Sequence, residues 1–239
     1  MRKLVIIPTY NERENIEAMV AKVFSLEGNF SLLVVDDGSP DGTAEIVRQL
    51  QTTHPERLFL IEREGKLGLG TAYLAGFEWA LKEGYEVIYE MDCDFSHDPD
   101  DLLRLTSAIE EGADVAVGSR YVSGVNVVNW PMRRLLLSFF ASRYVKCITR
   151  MPVRDATAGF VAYRADVLRT IDFAKVKMKG YGFQIEMKYT AWKLGFKIKE
   201  VSIIFRDRTL GTSKMSSGIL GEAFWGVLGL RFRRFKKRK

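Results

Sequence analysis

Five short apolar runs alternate with four helix-patterned stretches between residues 4 and 117, and that rhythm leaves few folds open. The runs are Leu4–Pro8, Leu32–Asp36, Leu58–Ile61, Val87–Met91 and Ala113–Val117. Their length and apolar content suit buried strands. Between them the chain reads as helix from Asn11 to about Ser25, Gly42 to Gln51, Gly70 to Lys82 and Pro99 to Glu110. Asn11, with Glu14 three residues on, has the pattern of an N-cap, and Asp41 has that of a second. Strands alternating with helices predict an α/β fold: a mostly parallel sheet covered by helices on both faces. Ligands of such sheets sit beyond the carboxyl ends of the strands.

The second half is less regular. Arg133–Arg150 reads as a helix, Phe160–Arg164 as a strand, Phe183–Leu194 as a helix and Lys197–Phe205 as a strand. Arg206–Gly218 is polar and contains glycine, so a mobile segment is expected before a last helix over Ile219–Phe235. No repeat or linker divides the 239 residues, a length ample for one core. The expected organisation is one α/β domain over 1–218 and an amphipathic helix with a basic tail over 219–239.

The net charge of +6 has to be located before it means anything. Residues 231–239 hold 7 basic and no acidic side chains, leaving 29 Lys and Arg against 30 Asp and Glu in residues 1–230. A nucleic-acid reader carries its basic residues across a face of the fold, so this distribution argues against one. The two cysteines, Cys93 and Cys147, are too few for a disulfide framework and point to a reducing cytoplasm. No run of about 18 apolar residues is present, and the apolar start at Leu4–Ile7 is too short for a signal peptide. Neither a spanning helix nor a leader is expected.

Chemistry concentrates at strand ends. Asp92-Cys93-Asp94 follows the fourth strand, and residues two apart on extended chain point the same way. Both carboxylates can then address one Mg²⁺ or Mn²⁺, ions that take oxygen ligands and share them with substrate phosphates. The alternative is an acidic turn capping the next helix, to which Asp98, Asp100 and Asp101 are suited. Pro8-Thr9-Tyr10-Asn11-Glu12 follows the first strand and Val35-Asp36-Asp37-Gly38-Ser39 the second. Carboxylates there can accept hydrogen bonds from a base or ribose, and acidic groups at three strand ends of one sheet favour a nucleotide site. No G-x-G-x-x-G follows the first strand, which disfavours a dehydrogenase.

The segments I-P-T-Y-N-E, V-D-D-G-S-x-D-G-T, G-L-G-T-A and D-x-D-x-S-H, in this order, resemble glycosyltransferase family 2, and within it the dolichol-phosphate (polyprenyl-phosphate) mannose synthases. The resemblance extends over roughly residues 3–218. It takes in Gly118-Ser119-Arg120-Tyr121, Asn129-Trp130-Pro131 with Arg133-Arg134, Arg154-Asp155-Ala156-Thr157-Ala158-Gly159-Phe160, and Arg208 six residues before Lys214. It implies a GT-A fold, GDP-mannose as donor, and dolichyl or polyprenyl phosphate as acceptor. Pro8, Tyr10, Glu12, Val35 and Asp37 would surround the nucleotide. Asp92 and Asp94 would hold the metal, with Cys93 in backbone contact. Ser96 stands where the family often has Gln as a further ligand, and His97 is a conceivable substitute, although a structural histidine is the plainer reading.

A lipid phosphate is already an anion, so it needs cations that hold it in line with the sugar carbon and no base to create a nucleophile. Arg120, Arg134 and Ser138 are the expected phosphate contacts, with Arg133 in reserve. Arg208 and Lys214 would close on the donor diphosphate as a lid. Asp155 either orients an arginine or touches the sugar. The resemblance implies inversion at the anomeric carbon.

Arg133–Met151 interleaves Leu135, Leu136, Leu137, Phe139, Phe140, Tyr144, Val145 and Ile148 with Arg134, Arg143, Lys146 and Arg150. That pattern suits a helix lying in a bilayer interface, with packing against the sheet as the alternative. The last helix adds Ile219, Leu220, Phe224, Trp225, Val227, Leu228 and Leu230 before the basic tail. The expectation is a peripheral protein on the cytoplasmic face of a membrane, alone or with a small membrane-protein partner. Two rivals remain: a transferase of the same fold using UDP-glucose or UDP-N-acetylglucosamine, and a non-catalytic nucleotide-sugar-binding protein.

Overall fold

The computed structural model describes residues 1–178, 180–207, 219–233 and 235. A seven-stranded sheet runs in the order β3-β2-β1-β4-β7-β5-β8. Its strands are β1 (Lys3–Thr9), β2 (Phe30–Asp36), β3 (Leu58–Glu62), β4 (Val87–Glu90), β5 (Val115–Ser119), β7 (Val161–Arg164) and β8 (Ile198–Ser202). All pairings are parallel except those of β7, which is antiparallel to both β4 and β5. A separate two-stranded ladder joins β6 (Val127–Val128) to β9 (Phe205–Arg206).

Strand alternation builds the two faces. Val5 and Ile7 of β1 enter one buried cluster with α1 (Ile16–Ser25), α2 (Thr43–Gln51) and α4 (Asp101–Glu110). Leu4 and Ile6 enter a second with α3 (Leu69–Lys82), α6 (Ala165–Thr170) and α7 (Gly180–Lys193). Each such side chain is fully buried, worth about 1.5–3 kcal/mol apiece. A third cluster joins Val145 of α5 (Met132–Thr149), Ile185 and Tyr189 of α7, and Val227 and Leu230 of α8 (Ile219–Phe232).

Several local expectations need correction. Asn11 is not a helix cap: it sits at φ 57° in a left-handed turn, and its N–H donates to Ser39 Oγ at 2.9 Å. Helix α1 starts four residues later, after Asn15, whose side chain instead donates to Glu12 at 2.9 Å. Asp41 does hold the start of α2, accepting from Thr43 N at 3.0 Å, although Gly42 is the capping position. The run Lys197–Phe205 is two strands, because Ser119 O takes the Ile203 N–H at 3.1 Å and β9 leaves the main sheet to pair with β6. The expected mobile segment overlaps residues 208–218, which lie outside the described residues.

Helix α3 lies so close to β1 that a Cβ at Gly76 would come 2.8 Å from Ile6 Cγ2. Alanine usually stabilises a helix interior over glycine by about 0.5–1 kcal/mol. Here Gly76→Ala is expected to destabilise by about 1–3 kcal/mol through overpacking. Urea unfolding checks this, and an unchanged or raised midpoint would contradict the packing.

Candidate active site

Strand β4 is buried along its length and releases the chain at Met91, so Asp92 and Asp94 emerge at the carboxyl edge. Phe95 turns the chain with φ 58°, which brings Ser96 N back to Asp94 Oδ1 at 3.1 Å. His97 then folds under the turn, where its Nδ1 accepts the Asp92 N–H at 3.2 Å. Its ring stacks on Phe160 and meets Phe205 edge-on. Burial pushes its pKa down to about 4, against an opposing pull from Asp94, so the imidazole is neutral at pH 7. Its Nδ1 is thus engaged in bracing the turn. Among the described residues, no three His, Cys, Asp or Glu side chains cluster to enclose a metal. Asp92 and Asp94 provide two carboxylates, and the buried Ser96 Oγ has no hydrogen-bond partner among the described residues. That oxygen set fits Mg²⁺ or Mn²⁺, which leave their other positions to water and substrate phosphate.

Across the same cleft stands Arg120, at the end of β5. Asp155 holds it completely. Asp155 Oδ2 accepts from Arg120 N (2.9 Å) and Nε (2.7 Å), and Oδ1 accepts from Nη2 (2.6 Å). Thr157 Oγ1 accepts from Nη2 at 2.8 Å. Both charged side chains are buried. Burial alone would push the Asp155 carboxyl up, but the Arg120 charge and these bonds hold it below the usual carboxylate range. The question left by the sequence is thus answered: Asp155 orients an arginine. Arg134, on α5, lies flat on Trp130 at 4.2 Å and donates to Asp207 Oδ1 at 2.7 Å. Ser138 lies one turn further along α5 and accepts from the Tyr121 hydroxyl at 2.9 Å.

The nucleotide-side residues lie at the ends of β1 and β2. Thr9 and Ser39 both donate to Asp36, and Asp37 forms an ion pair with Arg63 while accepting from the N–H groups of Leu67 (3.1 Å) and Gly68 (3.2 Å). Asp37 therefore ties the loop after β3 to the sheet edge. Lys66 on that loop sits 4.8 Å over the Tyr10 ring. Glu12 N donates to Thr43 Oγ1 at 3.0 Å. Pro8 and Val35 are opposed in the β1–β2 register, and Cys93 is buried between its two aspartates. Arg208 and Lys214 lie outside the described residues.

The model of Glycosyl transferase family 2 matches residues 4–172. The chain belongs to glycosyltransferase family 2. It is 49% identical over 233 residues to the polyprenol monophosphomannose synthase of Mycolicibacterium smegmatis, covering 95% of this chain and 88% of that one. It is 45% identical over 242 residues to the undecaprenyl-phosphate mannosyltransferase of Micrococcus luteus, covering 98% and 99%. Among solved structures, glucosyl-3-phosphoglycerate synthase from Mycobacterium tuberculosis, with Mn²⁺, UDP and phosphoglyceric acid, superposes with a TM-score of 0.71 at 18% identity, over 98% of this chain and 80% of that one. A mannosyltransferase from Pyrobaculum calidifontis, in complex with GDP-mannose and Mn²⁺, gives 0.59 at 16% identity, over 96% and 72%. These likenesses establish the GT-A-like fold of this family 2 chain.

Four residues escaped the sequence reading. Gln184 and Asp207 line the cleft. Behind it, Lys188 donates to Ala158 O at 2.6 Å, and burial pushes its pKa down to about 8. Glu90 is pushed up to about 8 by burial, opposed by Lys188 and the neighbouring Gln184. The available signal was F-Q-I-E-M-K: polar residues every second position in an otherwise apolar helix, more than a packing helix needs.

Asp155→Asn would leave Arg120 buried without its counter-charge, and is expected to cost about 3–5 kcal/mol in chemical denaturation. The pH dependence has a definite sign. A carboxyl depressed by folding stabilises above its unfolded pKa, and that contribution is lost as pH falls. The gap between wild type and variant should therefore begin to narrow below about pH 4, where the unfolded carboxyl takes up its proton, and close only as pH falls through the lower folded value. A gap that does not shrink on acidification would contradict the pairing.

Proposed function

We propose that the protein transfers mannose from GDP-mannose to a dolichyl or polyprenyl phosphate, with inversion. One observation carries the reading: Asp92 and Asp94 share a cleft with Arg120 and Arg134, in a chain 49% and 45% identical to two proteins named for mannosyl transfer to such lipids. A divalent ion on Asp92 and Asp94 supplies charge neutralisation for the departing diphosphate. Arg120 and Arg134 hold the acceptor phosphate opposite. A phosphate oxygen forms the bond to the anomeric carbon as the bond from that carbon to the diphosphate breaks, and GDP leaves. Arg120 loses no alignment in this step, since Asp155 has already fixed its plane.

A specific observation weighs against a hydroxyl acceptor. Such an acceptor needs a base, and Asp155 has both oxygens bonded to Arg120 while Asp207 accepts from Arg134. An anionic acceptor needs neither. Mannosyl-phosphoryl lipid with GDP release is the expected product when GDP-mannose, UDP-glucose and UDP-N-acetylglucosamine compete. Asp92→Asn, or chelation of the metal, should lower turnover by about 100-fold or more. Mass spectrometry reads this directly, and UDP release with a different glycolipid would overturn the donor assignment.

No helix among the described residues is long and apolar enough to cross a membrane. Several apolar side chains of α5 are nonetheless turned outward, with Leu137 51% and Phe140 62% exposed, as is Trp225 of α8 at 71%. Tyr144 stacks on Phe224 and donates to its carbonyl at 3.0 Å, joining the two helices into one face. The proposal seats this face in the interface of an anionic leaflet on the cytoplasmic side, where the acceptor's phosphate is presented to Arg134. Each Lys or Arg near such a leaflet adds about 1 kcal/mol at low salt. Truncation after Leu230, or Phe140→Asp with Trp225→Asp, should weaken sedimentation with phosphatidylserine vesicles. Equal sedimentation of all three forms would contradict the surface.

A further inference from the structure

The cleft contains polar atoms that the protein itself leaves unbonded. Gln184, on α7, is 2% exposed, and neither Nε2 nor Oε1 has a hydrogen-bond partner among the described residues. Trp130 Nε1 is in the same condition and lines the same cleft, where Ser96 Oγ, likewise unbonded, belongs to the oxygen set of the metal. A buried polar group without a hydrogen bond is destabilising, so an amide and an indole N–H lining one cleft call for an occupant.

The chemistry of these atoms selects the occupant. They are neutral, so they are poor partners for phosphate, which the arginines opposite serve better. The amide offers donors and an acceptor side by side, and Trp130 a donor. Neighbouring hydroxyls on a sugar ring present the matching set. The amide's contact with Glu90 pulls that carboxyl's pKa down but is no well-formed hydrogen bond, so the amide is not saturated within the protein. We infer that Gln184 is a specificity-determining residue that reads the hydroxyls of the donor sugar, with Trp130 Nε1 as a neighbouring donor. This rests on the donor-sugar site proposed above and says which side chain chooses the sugar.

The test uses the full chain, GDP-mannose, the C2 epimer GDP-glucose, and GDP-mannose analogues lacking one hydroxyl at a time. With wild type, at least one monodeoxy donor should lose about 10-fold or more in kcat/KM. In Gln184→Met that same donor should lose nothing beyond what the variant has already lost, and the preference for GDP-mannose over GDP-glucose should fall by about 10-fold. Affinity for GDP alone should stay unchanged. Because methionine removes an orphaned amide at nearly constant volume, the ligand-free variant should unfold at an equal or higher urea concentration. A destabilised variant that keeps wild-type sugar preference would make the amide structural and overturn the inference. A wild type that loses less than about 3-fold with every monodeoxy donor would overturn it without any variant. A wild type inert with GDP-mannose would overturn the proposed function itself, and this assignment with it.

Discussion

The guanidinium of Arg120 and the carboxylate of Asp155 are both buried, and much of the site follows from that pair. Isolated, either charge would cost several kcal/mol to desolvate. Together they are acceptable because the geometry is bidentate and the Arg120 N–H joins the same carboxylate. The pair links the end of β5 to the segment that leads into β7, the one antiparallel insertion in the sheet. Lys188 and Glu200 extend the tie, the first through Ala158 O and the second through the N–H of Asp155 at 3.0 Å. A cation at this sheet edge is thus fixed before any substrate arrives, which is the condition under which electrostatic stabilisation costs no reorganisation.

The site separates its charges. Carboxylates gather at the end of β4, where the proposed divalent ion and diphosphate would sit, and arginines stand on the β5 and α5 side, where the proposed anionic acceptor would sit. A neutral histidine underneath the turn braces Asp92 without adding charge of its own. Neutral polar groups, Gln184 and Trp130, line the same cleft, and the proposed sugar would meet them there. Displacement by an acceptor that is already ionised needs this layout and little else.

Much of this was legible in the sequence because strand period and strand-end chemistry are local. The first five strands lie where the apolar runs placed them, and the D-x-D turn emerges where a parallel sheet must expose it. What failed depended on distant partners. Asn11 has a cap's composition, but Ser39 across the loop claims its N–H and sets a left-handed turn. The strand run Lys197–Phe205 breaks because Val127–Val128, some 75 residues away, offers another ladder. Asp155 could not be assigned before the fold brought it to Arg120. Gln184, Glu186 and Lys188 were hidden in a helix whose register carries them inside. The leucines of α5 were ambiguous between core and surface, and the structure leaves Leu136, Leu137 and Phe140 outside.

The central claim is a single displacement in which the acceptor phosphate is the nucleophile and no side chain is. That claim fixes the stereochemistry, since one displacement inverts the anomeric carbon of an α-linked donor. The measurement is the one-bond carbon–proton coupling at the anomeric position of the purified mannosyl-phosphoryl lipid, by NMR. The account predicts a β-linked mannosyl phosphate. An α-linked product would mean retention, a covalent or ion-pair intermediate, and a nucleophilic role for a side chain that this cleft holds in ion pairs.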